Sequence, residues 1–191
     1  GKGALPTDDY NFAKSWIDHH NGWGNYIAAE ILQPKTVTWL SIWYEGELIV
    51  AQTRARDGWT HGNRAISGVT GVTKVGITYS DETVTDVAKK SILAVSDKPH
   101  GIFGVDMAYD ANGMPNPTEI NISRFFTTVR FFTEAGINFP EIFKKLAFNE
   151  EINIKKGLIN PLEDGLMWLR GMDRDPLLTS KDFIENNIKF E

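Results

Sequence analysis

Three oxygen-bearing side chains stand where they could hold a cation. Asp106 ends the run Gly-Ile-Phe-Gly-Val-Asp that starts at Gly101, and Glu119 and Asn121 lie in Thr-Glu-Ile-Asn from Thr118. Between the two runs, Asn112-Gly113 is the dipeptide of a tight type I′ hairpin. With that pair at the turn centre, Asp106 faces Glu119 across the ladder. Two carboxylates so opposed repel each other unless a cation sits between them. Side chains two apart share a face, so Gly104, Asp106 and Ala108 point one way and Phe103, Val105 and Met107 the other. On the return strand Glu119, Asn121 and Ser123 share a face, with Ile120 and Ile122 opposite. Hard oxygen donors beside two small residues suit Mg²⁺ or Mn²⁺, with phosphate oxygens completing the shell. The same pattern also suits a solvated hairpin with its polar residues outward. Pro115 and Pro117 cannot donate to a ladder, and a bulge near the turn would shift the pairing by one.

A second cluster is cationic. Thr36 to Tyr44 is β-branched and aromatic, and a Glu45-Gly46 turn leads into a strand that ends at Arg56, so the two form an antiparallel hairpin. Arg54 and Arg56 share a face of that strand, where paired guanidiniums either grip one carboxylate or phosphate or are solvated at the strand end. Trp39 and Trp43 are assigned to the core. Asp57 to Gly76 is rich in Gly, Thr and Ser, a length of loop that is either mobile or functional.

Around these, one helix opens at Thr7-Asp8-Asp9 with Thr7 as N-cap. Its Phe12, Ala13, Trp16 and Ile17 make one buried stripe, and it stops at Asn21-Gly22. Tyr26 to Leu32 suggests a short buried strand. A second helix from Ser80 turns Val84, Val87, Ala88, Ser91, Ile92 and Val95 inward, and a third begins at Asn138 with Pro140 in its first turn. Phe125, Phe126, Phe131 and Phe132 are core candidates. The region 151–191 suggests a closing lobe in which no chemistry is legible.

The chain has 191 residues, 41% hydrophobic and 24% charged, with a formal charge of −5 and no cysteine. This is a globular composition and argues against a nucleic-acid surface, which needs clustered Lys and Arg. No apolar run approaches the ~20 residues that span a bilayer, so no membrane is expected. Without cysteine there is no disulfide framework or thiolate metal site, which fits a reducing, cytoplasmic setting. The start at Gly1 without Met suggests a fragment or a processed chain.

The Gly101–Asp106 strand, the short turn, Glu119-Ile-Asn121 and the nearby Arg124 resemble the metal-binding end of the ATP-grasp superfamily. The nearest flavour is its carbamoyl-phosphate-synthetase-like and biotin-carboxylase-like carboxylate–amine ligases. The resemblance covers roughly residues 1–150. It implies an α+β ATP-grasp fold, an antiparallel sheet with flanking helices, lacking the N-terminal part of the unit. It further implies that Asp106, Glu119 and Asn121 hold Mg²⁺ on the phosphates of ATP.

In the same way it gives Gly1-Lys2-Gly3-Ala4 as the tail of a phosphate-covering glycine loop, with Lys2 at the phosphates. Glu30 would accept from the adenine amino group, with the backbone of Ile31 and Leu32 beside it. Arg54 would lie near the γ-phosphate, His61 and Asn63 on a loop over the site, and Arg56 and Arg124 at the reacting acid. Two departures stand out. Pro34-Lys35-Thr36 replaces the family's ribose-binding Gly-x-Glu, and Ser123 stands where the family has its arginine, one position before Arg124.

The implied reaction is activation of a small carboxylate by ATP as an acyl phosphate, which an amine or similar nucleophile opens. A nucleotide-binding module without ligase activity and a non-enzymatic interaction domain are the alternatives. The substrates are left open, as is the oligomeric state, a homodimer included. A parent unit of about 300 to 400 residues is expected on domain-size grounds.

Overall fold

Period-two runs of β-branched and aromatic residues set the frame. The computed structural model describes residues 4–60, 72–171 and 174–187. Within them β1 (Thr36–Tyr44) and β2 (Glu47–Thr60) form the expected hairpin about Glu45-Gly46. Glu45 and Gly46 both take positive φ, 52° and 89°. β3 (Val72–Thr78) follows, then α2 (Glu82–Val95), β4 (Gly101–Tyr109) and β5 (Pro115–Ile122). The order across the sheet is β5-β4-β1-β2-β3, extended by β7 (Leu166–Leu169) and β8 (Leu177–Ser180), while the two-residue β6 (Leu158–Ile159) pairs with β2. All the pairings except β2–β6 are antiparallel.

Alternation along β1 feeds two cores. Val37, Trp39 and Trp43 join Phe103, Val105 and Met107 against Val84, Ala88 and Ile92 of α2. Leu40, Ile42 and Ile102 face the other way, onto Phe131 and Phe132 of α3 (Val129–Glu134) and Phe139 and Ile142 of α4 (Phe139–Ala147). Both faces of β1 are therefore buried, which is why its sequence is almost continuously apolar. Asn138 caps α4, its side chain accepting from the Glu141 N–H at 3.0 Å. The apolar second core covers only part of its sheet face. Beyond Leu40 and Gly104 that face turns polar, and there the candidate site begins.

Several expectations are corrected. The first helix, α1 (Tyr10–His19), is capped by Asp9 and not by Thr7, because the Asp9 carboxylate reaches the N–H groups of Asn11 and Phe12 at 2.8 and 3.0 Å. It buries no residue fully: Ala13, Trp16 and Ile17 are half-buried and Phe12 is exposed. Tyr26 to Leu32 forms no strand and is largely exposed; just after it the Gln33 N–H donates to the Tyr109 carbonyl at 2.7 Å. Val95 is exposed at the end of α2. Asp57–Thr60 and Val72–Gly76 are strand, not loop.

The turn after β4 is not type I′. Asn112 lacks the positive φ that type needs, and only Gly113 has it, at 80°. The Gly113 N–H donates to the Asp110 carbonyl at 3.1 Å and the Asp110 N–H to the Met114 carbonyl at 2.9 Å, which makes a three-residue loop ending on a left-handed glycine. The Asp110 carboxylate closes it, accepting from the N–H groups of Asn112 and Met114 and held below the usual carboxylate range by these bonds, chiefly that from Met114. The odd loop shifts the register by one, and a bulge between Asp106 and Met107 shifts it back. Asp106 therefore does pair with Glu119, and Gly104 with Asn121.

Candidate active site

One cross-strand row carries the site. Thr78, Arg54, Thr38, Asp106 and Glu119 are successive partners across β3, β2, β1, β4 and β5. Directly paired residues point to the same face, so the row sets one guanidinium on one side of the Thr38 hydroxyl and two carboxylates on the other. Thr38 is the joint: its Oγ1 donates to Asp106 Oδ1 at 2.5 Å and accepts from Arg54 Nη2 at 2.9 Å and Arg56 Nη2 at 2.7 Å. Arg56, one row further along, reaches diagonally to the same carboxylate, Nη2 to Oδ1 2.6 Å. The second oxygen of Asp106 accepts from Asn121 Nδ2 at 3.2 Å.

Arg54 is buried, 1% exposed. Its other terminal nitrogen donates to Thr128 Oγ1, and its guanidinium lies 4.2 Å from the centre of the Phe126 ring. Burial, reinforced by the Arg56 and Arg170 charges, pushes its pKa down to about 9, against the pull of Asp106. The group is still a cation at neutral pH, held at an electrostatic cost. Gly76 makes room for it: a Cβ there would stand 3.1 Å from Arg54 Cδ and 3.5 Å from the Phe131 ring.

The offset arginine is brought back by backbone geometry. Ser123 adopts φ +60°, the left-handed region that L-residues seldom enter. The chain turns there, and the Arg124 guanidinium returns to donate to Asn121 Oδ1, 3.9 Å from the Glu119 carboxylate. Asp106, Glu119, Asn121, Arg56 and Arg124 are thus brought together, with Arg54 behind them. Glu119 and Arg124 are the exposed members, with side chains 60% and 68% accessible.

Two cavities meet at this cluster. A wide one of about 1030 Å³ runs under α1 and the 26–34 segment, where Glu30, Ile31 and Leu32 line it together with Arg56, Asp106 and Glu119. A compact one of about 220 Å³ is lined by Thr38, Arg54, Arg56, Gly104, Asp106, Asn121 and Arg124, with Trp59, Phe125 and Phe126 as aromatic walls. Arg56, Trp59 and Asp106 belong to both. Lys35 fastens the edge of the wide cavity, its ammonium 4.5 and 5.0 Å from the ring centres of Tyr109 and Tyr79. So the lysine that stands in the expected ribose position is turned into a clasp.

Lys2, His61 and Asn63 lie outside the described residues. Among the described residues no three His, Cys, Asp or Glu side chains gather as a metal cluster, and none of the helices is long and apolar enough to cross a membrane. Sequence reasoning missed Thr38, Thr128, Phe126 and Arg170. Thr38 was within reach, since it shares a face with Leu40 in a recognised strand. However, a bulge between Ile42 and Trp43 moves its partner to Arg54, and residue types do not announce that shift.

No protein-family model and no curated protein matches the chain. Among solved structures, the crystal structure of the ADP complex of purK, N5-carboxyaminoimidazole ribonucleotide synthetase, is similar to it with a TM-score of 0.57 at 14% identity. The likeness covers 88% of this chain and 42% of that one, so this chain spans less than half the length of the synthetase. At that identity the likeness is one of architecture: the chain has an α+β, ATP-grasp-like fold, an antiparallel sheet with flanking helices.

Proposed function

We propose that this chain carries the phosphate and acid end of an ATP-dependent ligase, one that activates a small carboxylate as an acyl phosphate for attack by an amine or similar nucleophile. The observation that carries the reading is the junction of two unequal cavities at Arg56 and Asp106. The wide, mainly apolar cavity suits a nucleotide, with Glu30 and the Ile31–Leu32 backbone against the base. The compact, arginine-lined cavity suits the acid. The phosphoryl group then passes between them at the shared residues.

A divalent ion fits the donor set. Asp106 and Glu119 are directly opposed and Asn121 shares their face, all hard oxygen donors of the kind Mg²⁺ or Mn²⁺ takes. Asp106 already holds a cationic partner, the Arg56 guanidinium. These three residues would hold the ion, which, when bound, supplies neutralisation of the phosphate charge.

The chain's own groups do the rest. Phosphoryl transfer depends on positioning and charge stabilisation. Arg56 and Arg124 place fixed positive charge where negative charge develops. Trp59, under the Arg56 guanidinium at 4.8 Å, holds that arginine in place and shields the junction from water. Arg54 pins the Phe126–Thr128 segment that follows Arg124, and so fixes the reacting arginine from behind.

The direct test is calorimetry with ATP, with and without Mg²⁺, followed by hydroxylamine trapping over a panel of carboxylates. The ligase reading expects magnesium-dependent ATP binding, and ADP and hydroxamate in equal amounts with a suitable acid. ATP binding without hydroxamate for any acid would leave a binding module, and no magnesium-dependent ATP binding would leave an interaction domain.

A further inference from the structure

The compact cavity holds more positive charge than its own acids neutralise. Arg54, Arg56 and Arg124 line it, and among its described lining residues Asp106 is the single carboxylate, with Glu119 3.9 Å from Arg124 at its edge. Both oxygens of Asp106 already accept protein donors. A fourth guanidinium, Arg170, stands behind this lining without bordering the cavity. It lies two residues beyond Trp168, which pairs with Gly76, and its N–H donates to the Lys74 carbonyl at 3.0 Å. That spacing puts it on the face of Trp168 and Phe131, the face that also carries Arg54. Its charge acts on Arg54. Nε of Arg54, Nε of Arg56 and Nη1 of Arg170 are buried and donate to nothing among the described residues. Unsatisfied buried donors of this strength call for an acceptor.

We propose that the acid activated here is a short dianion: a carboxylate joined through a few carbons to a second anionic group. This rests on the ligase reading above and names its substrate class. The activated carboxylate oxygen forms a bond to the γ-phosphorus of ATP. The bond from that phosphorus to the β–γ bridging oxygen breaks, its electron pair leaving on ADP. The nucleophile then bonds to the acyl carbon, inorganic phosphate departs with the carbon–oxygen bond pair, and a proton is released from the amine. After these steps the activated end is a neutral amide. On the acid itself, only a second anionic group stays charged throughout and keeps Arg54 paired. Arg56 and Arg124, beside Asp106 and Glu119, face the reacting end; Arg54, with the Arg170 charge behind it, faces the distal anion. The volume, about 220 Å³, and the walls of Trp59, Phe125 and Phe126 restrict the linker to a short chain.

The test compares acids matched in length on the full-length protein, by calorimetry and by magnesium- and ATP-dependent hydroxamate formation: succinate against butyrate, glutarate against pentanoate, with 3-phosphonopropionate and bicarbonate as further arms. The diacids are expected to bind about tenfold to a hundredfold tighter than their partners, the scale of charge-assisted pairing to arginine. Arg170→Gln should lower that ratio severalfold, Arg170→Lys should restore part of it, and Arg130→Gln, on the exposed Glu134-paired face of α3, should leave it unchanged. Preference for 3-phosphonopropionate over succinate assigns a phosphate-like distal group, and the reverse a carboxylate. Equal binding of diacids and monoacids, or selective use of bicarbonate, overturns the proposal. Diacid-selective binding without hydroxamate keeps the dianion pocket and removes the ligase reading. Hydroxamate formed equally from monoacids and diacids keeps the ligase and removes the dianion. Binding of no acid at all overturns both.

Discussion

Arg56 reaches diagonally across β1 to Asp106, Nη2 2.6 Å from Oδ1, with Thr38 Oγ1 bridging the two. Both residues line both cavities. A pair with side chains 11% and 19% exposed is only partly screened, so removing one partner strands the other. Arg56→Gln is expected to destabilise the chain by about 1–3 kcal/mol, below the range for fully buried pairs. Millimolar Mg²⁺ should raise the melting temperature of this variant more than that of the parent, because the ion then meets Asp106 without competition. Equal shifts in a thermal melt would rule out a shared binding place for guanidinium and metal.

Arg54 is the opposite case, a cation that the fold holds at a cost. Its folded pKa, about 9, is depressed by burial, so the folded chain binds that proton less tightly than the unfolded chain does. The destabilisation is complete below that value and is relieved as pH rises through it. Arg54→Met removes the charge and keeps most of the volume. Its stability in urea relative to the parent should therefore be greatest at pH 7.5 and shrink toward pH 10, as the parent begins to shed the buried charge. On the proposed ligase reading, activity should fall at both, since the Phe126–Thr128 segment is released. A parent that loses stability relative to Arg54→Met between these pH values would contradict the assignment.

Ser123 offers a cleaner separation of fold from site. At φ +60° a glycine is at ease and a β-branched residue is strained by roughly 1–2 kcal/mol. Ser123→Gly should be neutral or slightly stabilising and keep Arg124 over Asn121. Ser123→Val should lose stability and, by swinging Arg124 away, catalytic rate in excess of that loss. Matching turnover per folded molecule in the two variants would show that Arg124 has no part in the chemistry.

That serine also shows what a sequence can carry. The residues of the β4–β5 hairpin were legible because period-two alternation and opposed carboxylates are local facts. The pairing of Asp106 with Glu119 followed from a turn type that does not form, because the three-residue loop and the bulge between Asp106 and Met107 displace the register in opposite directions. Where only one bulge acts, as at Ile42 and Trp43, nothing restores the count and the Thr38–Arg54 pairing stays hidden. The stripe on α1 was real as a pattern, but an apolar stripe does not say what it meets; here it borders the wide cavity instead of a core. The same reasoning missed Arg170, whose place depends on β7 pairing with β3 across nearly a hundred residues of chain.

Gly76 ties these strands to the site. It stands between Arg56 on β2 and Trp168 on β7, and Arg54 lies across its missing side chain. A Cβ at 3.1 Å from Arg54 Cδ and 3.5 Å from the Phe131 ring forces the arginine stem to yield, since the ring sits in a packed core. Removing a strand glycine would by itself stabilise slightly through the unfolded chain. Overpacking opposes that by about 1–3 kcal/mol. Gly76→Ala should therefore be a net loss by urea titration, and it should shift the acid KM more than the ATP KM, because Arg54 borders the compact cavity and not the wide one. An equal rise in both constants would place Arg54 in general scaffolding rather than at the acid end.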